Sequence, residues 1–344
     1  MLEISSPLLA CVAVAGGLVL LIYAGDLLVH GSVGLATRFH VPHLLIGLTI
    51  VAFGTSAPEL FISAQAVLSD RPGIAIGNVV GSNIANVFLV LGIPSIIAAT
   101  RCKQDGLRRN TWIMIAVTFV FIWFCETGPL QARHGYVLLG LLALFLAYSG
   151  YRAMRTPANS DLLGEVAEMS QHDGGTGMPK TVGMILLGLI GLPIGATLVV
   201  DGGTVIAASI GVSEAVIGLS LVAIGTSLPE LATTIAAAMR RTAGVALGNA
   251  IGSNIFNILA VMGVATLFAP ASGIPIPDAV ARFDVWVMLL AALVILAYTQ
   301  FQWTIGRTSG IVFLLIYVAY MFVLFFTGRA DMGFSSGESL PSTF

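Results

Sequence analysis

Two glutamates stand at matching places in a duplicated stretch of the chain. Gly47-Leu-Thr-Ile-Val-Ala-Phe-Gly-Thr-Ser-Ala-Pro-Glu-Leu60 recurs as Gly218-Leu-Ser-Leu-Val-Ala-Ile-Gly-Thr-Ser-Leu-Pro-Glu-Leu231, and Gly77-Asn-Val-Val-Gly-Ser-Asn83 recurs as Gly248-Asn-Ala-Ile-Gly-Ser-Asn254. A single offset of 171 residues relates both pairs, which argues for duplication. Glu59 and Glu230 fall deep in apolar sequence, where an ionised carboxylate without partners costs several kcal/mol, so each calls for a cation or a proton. Pro58 has no N–H and frees the carbonyl of Gly54; Pro229 does the same for Gly225, and both helices are expected to break there. Thr55 and Ser56 precede Glu59 by four and three residues and so share its helix face, as Thr226 and Ser227 do for Glu230. Asn78, Ser82 and Asn86 follow at i, i+4, i+8, and Asn249, Ser253 and Asn257 repeat the stripe.

These groups offer carboxylate, amide, hydroxyl and loosened carbonyl oxygens. Calcium takes six to eight such oxygens, whereas magnesium prefers octahedral sites that keep water. No His or Cys belongs to the set, which disfavours zinc, copper and iron. Ser82, Asn86, Ser253 and Asn257 read as ligands. Asn78 and Asn249 fit either a ligand or helix-packing role, because Gly77-x-x-x-Gly81 and Gly248-x-x-x-Gly252 are close-packing motifs beside which an amide can bond across helices.

The elements that must hold these residues are membrane helices. Of 344 residues, 9% are charged and 57% hydrophobic, against roughly 25% charged in soluble domains. Runs such as 182–200 and 311–326 are apolar on both alternating faces, which excludes a β-barrel. A net charge of −2 gives no basic face for nucleic acid. Cys11, Cys102 and Cys125 are scattered and indicate neither a disulfide framework nor a zinc site. With Glu3 and no Lys or Arg before Arg38, a cleavable signal peptide is not expected.

Breaking the apolar runs at charged and Gly/Pro-rich clusters predicts ten helices, at 7–37, 43–69, 74–99, 111–126, 135–152, 181–208, 214–239, 244–268, 283–301 and 309–327. The first and sixth are long enough to tilt or to run past the membrane surface. A polar stretch at 153–180 is expected to be a cytoplasmic linker between a first five-helix repeat, 1–152, and a second, 181–344, with a short C-terminal tail. Five helices separate equivalent points, so the copies enter the membrane from opposite faces, as in the inverted repeats of secondary transporters. With both termini outside, Arg71, Arg133, Arg282 and Arg329 are the outer members of the 15 Lys and Arg residues, and the rest are cytoplasmic, as the positive-inside rule favours. Trp286 and Trp303 bracket the ninth helix at the spacing of interfacial anchors. Asp26, His30 and Asp201, in the first and sixth helices, read as packing or surface-end polar residues.

The doubled Gly-Leu-Thr-x-Val-Ala-Phe-Gly-Thr-Ser-Ala-Pro-Glu and Gly-Asn-x-x-Gly-Ser-Asn-Ile motifs resemble the two α-repeats of the cation/calcium exchanger superfamily, specifically its bacterial and archaeal sodium/calcium exchanger branch. The resemblance spans essentially the whole chain. It implies ten helices with broken helices 2 and 7, a bacterial inner-membrane location, and a midplane site taking Ca²⁺ or Na⁺, with no cofactor. By motif position the implied ligands are Glu59, Glu230, the side chains of Thr55, Ser56, Ser82, Thr226, Ser227 and Ser253, and the carbonyls of Ala52 and Ala223. The proton/calcium branch carries Gly-Asn-Ala-x-Glu-His where this chain has Gly-Asn-Val-Val-Gly-Ser, which favours sodium over protons. Some family members have Asp where this chain has Asn257, so the core here holds two carboxylates rather than three. The competing readings are a cation/H⁺ antiporter, a cation channel, which usually rings its pore with like residues from parallel subunits, and an intramembrane enzyme, for which neither repeat supplies a His or Lys base.

Overall fold

The computed structural model of the chain describes residues 7–39, 41–69, 71–155, 177–209, 223–278 and 280–326. Nearly all of this is helix: α1 Pro7–Phe39, α2 His43–Thr55, α3 Ala57–Leu68, α4 Pro72–Ile97, α5 Leu107–Glu126, α6 Ala132–Arg155, α7 Met178–Ser209, α8 Ala223–Thr226, α9 Leu228–Met239, α10 Ala243–Leu267, α11 Val280–Gln300 and α12 Arg307–Phe326. Strand β1, Thr100–Arg101, pairs antiparallel with β2, Thr304–Ile305. Among the described residues eight helices are long and apolar enough to cross a membrane, and α2 with α3, bent by 42°, makes a ninth span. The first part of the expected seventh helix, 214–222, lies outside the described residues, as do most of the expected linker and the C-terminal tail.

Several helices run a turn further than the charge clusters suggested. α5 begins at Leu107 rather than 111, and α6 and α7 begin early enough to take in Arg133 and Lys180. Long basic side chains at helix ends carry their charge outward along the headgroup layer, so they need not end a span.

α1 and α7 pack antiparallel along their lengths. A β-carbon on Gly17 would fall 2.8 Å from the Gly195 carbonyl oxygen, and one on Gly202 would fall 2.7 Å from that of Ala10. Gly31 meets Thr181 in the same way, so residue pairs related by the sequence repeat make reciprocal contacts. At 33 and 32 residues these helices are about 50 Å long, well beyond a ~30 Å hydrocarbon layer. They are 33% buried over their spans, whereas α4 is 78% buried and α10 is 89% buried. The protein is thus built around α4 and α10. Gly248 and Gly252 bring α10 against Leu44, Leu48 and Ala52 of α2, the close approach that small residues permit.

Some of the connecting segments pair with one another. β1 and β2 join the segment before α5 to the one before α12, while Leu130 bridges Ile274 and Gly73 approaches Pro277. Trp286 and Trp303 are both exposed near the ends of α11.

Candidate functional site

The site is built where the broken α2–α3 span and the break between α8 and α9 meet α4 and α10. Ser56 interrupts the second span with φ −83° and ψ 4°, and Ser227 sits at its counterpart with φ −86° and ψ 2°. In each case the proline two residues on cannot donate to the preceding turn, and the helix restarts in a new direction. The break has a direct consequence: Glu59 and Glu230 fall in the first turn of α3 and α9, on the inward face, with no exposed surface.

Oxygens crowd around them. The Ser56 hydroxyl donates to Glu230 Oε1 at 3.3 Å and Ser253 to the same atom at 3.5 Å. Thr55 donates to Asn249 Oδ1 at 3.2 Å and lies 3.4 Å from the Ser253 hydroxyl. Hydroxyls from the first repeat thus reach the carboxylate of the second. Both oxygens of Glu59, Oε2 of Glu230, Oγ of Ser82 and Ser227, and Oδ1 of Asn86 and Asn257 are buried with no hydrogen-bond partner among the described residues. Buried polar atoms are normally paired, and these seven oxygens, three of them on the two carboxylates, are of the kind that a hard cation takes.

The remaining expected site residues are placed as follows. Thr226 is buried beside the second break. The Ala52 carbonyl accepts from the Ser56 N–H at 3.0 Å and lies 3.3 Å from the Thr55 hydroxyl. Ala223 opens α8, and its side chain lies outside the described residues. Asn78 Nδ2 donates to the Glu59 carbonyl at 3.2 Å and to Ser63 at 2.9 Å, and Asn249 Nδ2 donates to the Glu230 carbonyl at 3.3 Å and to Thr234 at 3.2 Å. These two asparagines therefore clamp the first turn of each glutamate helix to α4 or α10. Asp26 lies apart from the site, paired with Arg240 at 2.7 and 2.8 Å.

Four residues of the site region went unassigned in the sequence reading. Ser63 and Thr234 hold the clamps, and each lies four residues after its glutamate, a spacing that could have identified it. Asn83 and Asn254 bond each other across the α4–α10 crossing and receive Asn257 and Asn86. They stand inside the repeated Gly-Ser-Asn motif, which was the available signal.

Residues 9–151 and 180–326 match the profile of a family described as sodium/calcium exchanger protein. The chain is similar to CaxA of Alkalimonas amylolytica, 37% identical over 322 residues that cover 92% of this chain and 99% of that one. It is similar also to the sodium/calcium exchanger MaX1 of Methanosarcina acetivorans, 34% identical over 341 residues, with 90% and 97% covered. A solved structure of the sodium-calcium exchanger NCX_Mj superposes with a TM-score of 0.78 at 33% identity, covering 93% of this chain and 100% of that chain.

Proposed function

This chain belongs to the sodium/calcium exchanger protein family, and on that premise we propose that it is a secondary-active antiporter that exchanges Ca²⁺ for Na⁺ by alternating access at a midplane site. The observation that carries the reading is the set of unpartnered buried oxygens on Glu59, Glu230, Ser82, Ser227, Asn86 and Asn257. With Thr55, Ser56, Thr226 and Ser253 beside them, they offer more oxygens than one calcium needs, enough for Na⁺ ions to take its place. With only two carboxylates, one Ca²⁺ neutralises the site. The empty carrier would move two buried charges through hydrocarbon, which is too costly, so its return requires counter-ions. That makes the protein an exchanger rather than a leak, and a transporter rather than an enzyme.

In the same reading the chain has ten membrane helices in two inverted repeats, 1–152 and 181–344, joined by a cytoplasmic linker at 153–180. The α2–α3 pair and the segment ending in α9 form the broken second and seventh helices. The reciprocal contacts of the antiparallel α1 and α7 support the inversion, as do hydrogen bonds that recur at the 171-residue offset. Both termini lie outside a bacterial inner membrane, with Ca²⁺ and Na⁺ as substrates and the bilayer as surroundings.

Carboxylate substitution tests the site. Glu59→Gln and Glu230→Gln keep shape and remove charge, and each is expected to abolish Na⁺-gradient-driven ⁴⁵Ca²⁺ uptake into proteoliposomes while the purified protein keeps its thermal unfolding transition. Uptake at the wild-type rate by either variant overturns the assignment.

A further inference from the structure

The two asparagines at the α4–α10 crossing make a closed, doubled network. Asn83 Nδ2 donates to the Asn254 carbonyl at 3.3 Å, and Asn254 Nδ2 returns the bond to the Asn83 carbonyl at 3.3 Å. Their side-chain oxygens are taken too: Asn83 Oδ1 accepts from Asn257 Nδ2 and Asn254 Oδ1 accepts from Asn86 Nδ2, each at 3.1 Å. The amide nitrogens also approach sulfur, Asn83 at 3.5 Å from Met288 Sδ and Asn254 at 3.7 Å from Met114 Sδ. All four asparagines are at most 3% exposed.

The consequence falls on Asn86 and Asn257. A side-chain amide has a donor end and an acceptor end of nearly equal shape, and only the acceptor end helps a cation. Because each donor end is held by an oxygen of the opposite repeat, each acceptor end, Oδ1, is left unpartnered on the other side. Reversing Asn86 would set its oxygen against Asn254 Oδ1, and reversing Asn257 would set its oxygen against Asn83 Oδ1, two acceptors with no proton between them. Asn83 and Asn254 already spend both ends of their own amides on the opposite repeat.

We propose that Asn83 and Asn254 are positioning residues for ion binding: through crossed hydrogen bonds between the repeats they fix the amides of Asn257 and Asn86 with oxygen, never nitrogen, towards the cation. The inference rests on the cation-site reading above. Coupling the orientation of each ligand to the opposite repeat also makes both ligands depend on one intact crossing.

Two double-mutant cycles test it, with KM for Ca²⁺ and Na⁺ and kcat measured in proteoliposomes and thermal unfolding as the folding control. Asn257→Ala identifies the ion whose KM depends on that oxygen. Asn83→Leu, which keeps the branching at Cγ and removes every polar side-chain atom, is expected to raise the same KM about tenfold, the size of one buried hydrogen bond, with a smaller change in kcat. Asn83→Leu in the Asn257→Ala background is expected to add nothing, because the residue it positions is gone. Asn254→Leu with Asn86→Ala forms the mirror cycle, and Asn83→Ala and Asn254→Ala replace the leucine variants if those fail to unfold cooperatively. Effects that multiply in full in both cycles overturn the positioning role and leave a structural one. An unchanged KM in both Asn257→Ala and Asn86→Ala overturns instead the reading of these oxygens as ligands, while the glutamate variants test the site as a whole.

Discussion

Glu59 and Glu230 have no exposed surface, and around them stand hydroxyls and amides but, among the described residues, no cationic side chain within hydrogen-bonding or ion-pairing distance. Anything that neutralises them must arrive from outside, and protons compete with metal ions for the same oxygens. A proton taken by either carboxylate removes charge and a lone pair from the ligand set, so Na⁺-driven Ca²⁺ uptake is expected to fall as pH is lowered and to recover when pH is raised again. ⁴⁵Ca²⁺ uptake measured at constant Na⁺ gradient across a pH series checks this, and a rate that rises on acidification contradicts it. Asn257→Asp adds a third carboxylate and is expected to change the Na⁺ dependence of exchange more than the Ca²⁺ affinity; equilibrium ⁴⁵Ca²⁺ binding set beside the Na⁺ dependence of uptake separates the two. At this scale the sequence exposed the glutamates, hydroxyls and the stripe through Asn86 and Asn257, because duplication and helical spacing are local signals. It did not expose what Asn83 does. One residue beyond Ser82, that side chain turns about 100° around the helix, away from the stripe, and its partner is 171 positions distant, so only the crossing of α4 and α10 gives it meaning.

The breaks at Ser56 and Ser227 were legible in Pro58 and Pro229, since a missing N–H is a property of the residue itself. Less legible was the looser winding of Gly47–Val51 and Asn257–Met262, which are π-helical. Wide turns of this kind cluster at functional sites, yet they arise from packing against neighbouring helices and leave no mark in composition. Close packing at α2 and α10 gives a direct test. A β-carbon on Gly248 would fall 2.6 Å from the Leu44 carbonyl oxygen, so Gly248→Ala is expected to destabilise by about 1–3 kcal/mol. Gly140, with nothing within 4 Å of its β position, is the control: Gly140→Ala should not lower the unfolding temperature. The Asp26–Arg240 pair is a one-sided feature. Its counterparts at the repeat offset are Thr197 and Ser69, which cannot form an ion pair. With side chains 34% and 47% exposed, the bidentate pair is expected to contribute no more than about 1 kcal/mol. A double-mutant cycle of Asp26→Asn and Arg240→Gln, followed by thermal unfolding, should give a coupling that shrinks as salt is raised.

For the whole molecule, mean composition and Lys/Arg placement predict orientation, while the structure supplies which segments lie together: 100–101 with 304–305, and 130 with 274. Lys103 and Arg133 are both exposed, in the segments before α5 and at the start of α6. In a Cys11→Ser background, a membrane-impermeant maleimide added to intact cells stripped of their outer membrane is expected to label Arg133→Cys and not Lys103→Cys. The native Cys102 and Cys125 give little background because both are buried, and burial pushes the Cys102 thiol up to about 12, well above the pH of labelling. The opposite labelling pattern reverses the orientation. What composition and pattern could not supply is how the two repeats join. The reciprocal contacts of α1 with α7 and the crossed amides of α4 with α10 depend on backbones brought together only in the folded chain.

Obligatory coupling is the central claim, and ion flux tests it most directly. Purified protein in sealed vesicles is supplied with external ⁴⁵Ca²⁺ while an outward gradient of Na⁺, K⁺ or H⁺, equal in size, is imposed in turn, and a further sample has no gradient and no Na⁺. The expected result is rapid uptake with the Na⁺ gradient, little with K⁺ or H⁺, and none without a counter-ion, because two unneutralised buried carboxylates do not cross the hydrocarbon. Robust Ca²⁺ entry with no counter-ion would contradict exchange altogether, and uptake driven by H⁺ while Na⁺ does nothing would contradict the sodium coupling.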